Sequence, residues 1–130
     1  MQRPYLPIVD ELNQIVEAWI AATNAEHPAR DSNWWAIEQV LDWTLENEGE
    51  QLWRFIVVAY KRELSDKATA ALAAGPLEDL LAKHGPEFID RVEELARKDP
   101  QFNYLLGGVW RNTMTDEVWQ RVQAARLHVW

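Results

Sequence analysis

The apolar residues of this chain recur three and four positions apart along nearly its whole length. No run alternates apolar with polar residues convincingly, and no Asn-Gly or Asp-Gly hairpin turn appears. That period puts apolar side chains on one face of a helix, so the pattern confines the chain to an all-α fold. Gly-Pro occurs twice, at Gly75-Pro76 and Gly85-Pro86, each time just before an apolar-periodic run. Gly ends a helix readily, and Pro suits the first position of the next one, where its missing N–H costs nothing. Both steps are therefore expected to be punctuation between short helices, with Gly85 at a position open to positive φ.

The segments follow from this punctuation. A first helix is expected from Pro7 to about Thr23, with Leu12, Ile15, Val16, Trp19 and Ile20 as its stripe. A polar connection, Asn24 to Asn33, contains Pro28 and ends in Asp31 and Ser32, either of which can cap the next helix. The second helix should cover Asn33 to Asn47, with Trp34, Ile37, Leu41 and Leu45 on its core side and Val40 and Trp43 beside them. The third, about Glu50 to Leu64, is apolar on most sides and should be central. Ser65 should cap a short Ala-rich helix that stops at Gly75, and Pro76 and Pro86 should open the next two. On the second of these, Glu87/Arg91, Glu93/Arg97 and Glu94/Lys98 are spaced for i,i+4 pairing. Asp99-Pro100 reads as a cap with a first-turn Pro. A last helix is expected from about Asp116 to Leu127. Seven to eight short helices should then form a compact bundle or a short α-solenoid, as one domain over residues 1–130.

The composition excludes several classes of function. With no Cys there are no disulfides and no thiolate metal sites. No apolar run approaches the roughly 18 residues of a membrane span, and the N-terminus lacks the layout of a signal peptide. The expected location is cytoplasmic, without membrane partners. Twenty-one acids against 13 bases give a net charge of −8, which repels nucleic acid and attracts basic proteins. The acids cluster, with four and no base in DWTLENEGE, Asp42 to Glu50.

The stretch AAGPLEDLLAKHGPEFIDRVEELARKDPQF, Ala73 to Phe102, with LLGGVW, Leu105 to Trp110, resembles a family of small bacterial all-α domains of unknown function. The block Gly-Pro-Leu-Glu-Asp-Leu-Leu is the most recognisable part, and the rhythm of short helix pairs is HEAT-like. The resemblance implies a helical fold and brings no established catalytic residues. Small acidic proteins of this kind are often encoded among bacterial conflict systems, so the resemblance also implies a place among immunity proteins.

Little in the chain points to catalysis. The only serines, Ser32 and Ser65, are explained as caps, and there is no nucleophile elbow. His27, His84 and His128 are scattered, and the break at Gly85-Pro86 separates His84 from Glu87, so no metal site or cofactor is expected. Glu78 and Asp79 occupy successive positions and cannot serve one substrate from one face; one of them bonding backbone groups is the structural alternative to a plain helix-dipole role.

Trp35 is the informative residue. It shares a helix face with Glu38, Gln39, Asp42 and Glu46, all polar, while Trp34 is expected in the core. An aromatic ring on such a face is either covered by a neighbouring segment or exposed for a partner, and an exposed ring among carboxylates suits an Arg- or Lys-rich one. The sequence therefore reads as a non-enzymatic interaction module binding a basic protein through Trp35, Glu38, Asp42 and Glu46, in concrete form an immunity protein for a cytoplasmic toxin. The alternative is a structural or regulatory homo-oligomer, with Trp35 and Trp130 in the self-interface.

Overall fold

A computed structural model describes residues 9–130, and every regular element among them is helical. The helices are α1 (Val9–Asn24), α2 (Trp34–Leu45), α3 (Gly49–Ala59), α4 (Asp66–Leu72), α5 (Glu78–Lys98), α6 (Pro100–Leu106) and α7 (Asp116–Ala125). A 3₁₀ turn, Pro28–Arg30, lies between α1 and α2. A π-helical turn, Ala73–Leu77, joins α4 to α5, so Asp66 to Lys98 runs as one helical stretch of 33 residues. With that stretch taken as one helix, six pack as a bundle. The expected seven to eight short helices, the solenoid and the HEAT-like stacking of pairs are corrected accordingly. The Pro7 start of the first helix lies outside the described residues.

The two Gly-Pro steps turn out to act differently from one another. Pro76 has no N–H for an i→i−4 bond and its ring crowds the preceding turn. The chain widens there into a π turn, in which the Glu78 N–H reaches the Ala73 carbonyl, and the helix continues. At the second step α5 bends at His84, which has non-helical φ −131° and ψ 26° ahead of Pro86. Neither glycine adopts a positive φ. Gly85 instead lies against Val118 of α7, and a Cβ there would come within 2.9 Å of both methyl carbons. Close packing, not backbone freedom, accounts for that glycine.

The turn between α2 and α3 depends on Asn47, at φ 60°. The Glu48 N–H donates to the Trp43 carbonyl at 2.8 Å, and the Asn47 N–H to the Thr44 carbonyl at 3.5 Å, which closes α2 with a Schellman motif. α2 starts from Asn33 with no side-chain cap bond, so neither Asp31 nor Ser32 caps it, and α3 ends at Ala59, short of the expected Leu64; the starts of α4 and α6 are capped as the sequence reading has them. The Ser65 hydroxyl accepts from the Ala68 N–H, and the Asp99 carboxylate from the Gln101 N–H. Thr115 does the same for α7.

α3 is the central helix, with Leu52, Phe55, Ile56 and Ala59 fully buried. Trp19 packs edge-on to Phe55, and Trp43 lies tilted beside that ring on its α2 side. The α1 stripe of Leu12, Ile15, Val16 and Trp19 is buried as its spacing implies. α5 lies between α3, α6 and α7. Of its three i,i+4 pairs only Lys98–Glu94 forms, at 2.7 Å. Arg91 pairs instead with Glu50 of α3, and Glu93 with Arg121 of α7. These charges join helices to one another.

Asn103 is the buried polar group that ties the last helices together. Its amide donates to the Ala96 and Ala125 carbonyls, and its oxygen accepts from the Leu127 N–H. Beyond it, Trp130 stacks on Tyr104 with ring centroids 5.3 Å apart, and its indole N–H donates to the Tyr104 carbonyl. Gly107 and Gly108 leave room for this segment, because a Cβ at either would collide with His128 or Trp130.

Candidate functional site: the outer face of helix 2 and its groove

α2 is apolar on two arcs, and only one of them faces inward. The buried arc is Ala36, Val40, Trp43 and Thr44. Ala36 and Thr44 are small, which lets α2 lie close to α1, the helix it packs on most extensively. The other arc is the one expected in the core. There Leu41 is 46% and Leu45 69% exposed, while Trp34 and Ile37 are half-buried. The phase of the helix is therefore rotated from the sequence expectation, and two leucines stand at the surface.

Trp35 is 48% exposed. Glu38, Asp42 and Glu46 are exposed on the same side, and Gln39 is half-buried. The four residues expected to form a binding face are thus brought together, adjoining Leu41 and Leu45. No Lys or Arg occurs on α2.

Beside this face lies a groove of about 280 Å³ between α1, α2 and the π turn. Trp19, Ile37, Leu41 and Pro76 give it apolar walls, Gly75 leaves it open, and Asp79 stands at its edge. A Cβ on Gly75 would meet nothing within 4 Å. The widened backbone at Pro76 thus forms one side of the groove, a common setting for π turns.

The adjacent acids Glu78 and Asp79 have separate roles. Glu78 accepts from the Trp110 backbone N–H at 2.8 Å and from the Asn112 amide at 3.1 Å, fixing the loop after α6. Asn112 sits there at φ 51°. Asp79 accepts no hydrogen bond and forms no ion pair among the described residues. Burial first, and then the neighbouring charge of Glu78, raise its pKa above the ordinary Asp value, with Lys83 partly offsetting them. A half-buried carboxylate beside apolar walls attracts a cation more strongly than a fully hydrated one does.

The remaining candidates are structural. Ser65 caps a helix, Ser32 is exposed, and the Asp31 carboxylate accepts from the Asn33 N–H at the entrance to α2. His84 sits at the α5 bend with Nδ1 3.9 Å from Glu87 Oε1, so the bend brings these two side chains near one another rather than separating them. Among the described residues no group of three or more His, Cys, Asp or Glu side chains converges on a metal position. None of their helices is long and apolar enough to cross a membrane.

The fold and this surface define an all-α helical module with one open, acidic and apolar helix face. The chain belongs to the family of unknown function DUF6869, which it matches over residues 23–129. That span takes in every helix from α2 to α7. No curated protein and no solved structure matches the chain.

Proposed function

We propose that the chain is a non-enzymatic protein-interaction module that docks a basic partner on the outer face of α2. The observation that carries this reading is the joint exposure of Trp35, Leu41 and Leu45 beside Glu38, Asp42 and Glu46. Exposed aromatic and aliphatic side chains supply contact area that partner binding removes from water. The carboxylates supply long-range attraction for Lys and Arg. A second copy of the chain suits this face less well, since a two-fold contact would set Glu38 and Asp42 against their own copies. A bacterial immunity protein neutralising a basic cytoplasmic toxin is one concrete form of such a module.

A second reading has its own observation. Trp110 is 66% and Leu127 79% exposed, near the Tyr104–Trp130 stack at the end of α6. Arg111 pairs with Asp116 there and Glu78 accepts from the Trp110 N–H, so acids and bases are mixed in this region, unlike on α2. This patch favours a structural or regulatory homo-oligomer, with Trp130 in the self-interface.

A photo-crosslinking residue at position 45, compared with one at position 127, tests both readings in the native host. The first expects a heterologous, net-basic protein at position 45. A product of twice the chain's mass from position 127 supports the second. No product from position 45, or only the doubled chain, overturns the first.

A further inference from the structure

We infer that the groove beside α2 receives a long-stemmed cationic side chain, Arg or Lys, from the basic partner docked on that helix. The alkyl stem would lie against Ile37, Leu41 and Pro76, and the charge would meet Asp79. This rests on the docking reading, and Leu41 supplies the link, because it both lines the groove and stands at the exposed face.

Three properties of the groove select this occupant. Its volume of about 280 Å³ falls just below the roughly 300–1,000 Å³ of sites that engulf a drug-sized ligand, which suits a single inserted side chain. Its walls are apolar apart from a few groups, and Thr44 already donates its hydroxyl proton to the Val40 carbonyl. Asp79 is then the wall's unsatisfied charge, close to a surface whose other charges are also carboxylates. A purely apolar side chain would leave that half-buried carboxylate with only the partial compensation of Lys83, and an acidic one would be repelled. Arg and Lys place methylenes on apolar surface with the charge at the tip, which matches the order of groups here.

The probes are n-butylguanidinium and its neutral isostere n-butylurea, titrated into the full chain with backbone amide NMR as the readout. The guanidinium should shift the Gly75 and Ala71 amides saturably, about tenfold or more tighter than the urea. Asp79→Asn should remove that preference, and Glu117→Gln, on the exposed surface of α7, should leave it in place. Equal binding of the two probes, an unchanged preference in Asp79→Asn, shifts confined to other regions or no shifts at all would each overturn the inference. The photo-crosslink at position 45 separates this failure from failure of the docking reading. A partner still captured there, with no guanidinium preference at Gly75, removes the groove's role and keeps the face. A guanidinium preference with no captured partner leaves a cation groove without the docking face.

Discussion

Gly85 and Val118 pack so closely that a Cβ on residue 85 would lie 2.9 Å from both methyl carbons of the valine. Valine has little rotamer freedom on a helix, so α7 would have to move. Gly85→Ala should therefore destabilise the chain by about 1–3 kcal/mol, as overpacking does. Adding Val118→Ala should restore part of the loss. Gly75→Ala should be neutral or stabilising by up to about 1 kcal/mol, because its Cβ meets nothing and alanine suits a helical backbone better. Urea melts of the three variants beside the parent chain check this, and equal losses at 75 and 85 would return both glycines to the punctuation role.

Asn103→Leu should cost roughly 1–3 kcal/mol, the range for leaving buried polar groups unpaired. The change keeps the volume but strands the Leu127 N–H and the Ala96 and Ala125 carbonyls. Amide exchange should quicken first at the α7 end, where two of those bonds hold the chain.

Two aspartates should give opposite pH signatures. The Tyr60 hydroxyl, donating at 2.7 Å, is the main cause that holds Asp99 below its ordinary pKa. A lowered pKa contributes stability that is present at neutral pH and is lost as the pH falls through the folded-state value. Tyr60→Phe should remove about 1 kcal/mol at pH 7 and flatten that acid-side loss. Asp79 has a raised pKa, so the folded chain binds its proton more tightly than the unfolded chain does. Stability from this group is present at low pH and declines as the pH rises through its folded-state value. Asp79→Asn should raise the melting temperature slightly at pH 7 and leave it unchanged near pH 3. A melt series from pH 3 to 7 checks both signs.

The sequence made some of this structure legible and left other parts closed to it. Caps were readable because their chemistry is local: Ser65 and Asp99 each bond an N–H two or three residues ahead. The α1 stripe and central α3 were readable because apolar spacing there leaves little choice. α2 was not, because it carries two apolar arcs. Periodicity favours the bulkier one, Trp34, Ile37, Leu41 and Leu45, whereas close approach to α1 selects the arc that contains Ala36 and Thr44. The grouping of Trp35 with Glu38, Asp42 and Glu46 survived that rotation, since relative positions on one helix do not depend on its phase. The groove was illegible for another reason: its walls come from α1, α2 and a π turn, and no sequence spacing records their meeting. Glu78 likewise bonds residues more than 30 positions away, so its separation from Asp79 could not be seen locally.

The central claim, that the outer face of α2 is held open for a basic partner, is tested most directly by Trp35→Ala combined with Glu38→Lys and Asp42→Lys. Thermal melting and association with the protein captured at position 45 would be measured on the same preparation. The account predicts a stability change below about 1 kcal/mol, as for exposed positions. It also predicts loss of binding, with the charge reversals slowing association most at low salt. A loss of about 3–5 kcal/mol, the cost of truncating a core Trp, would contradict it by placing Trp35 in the core. So would unchanged stability with undiminished binding.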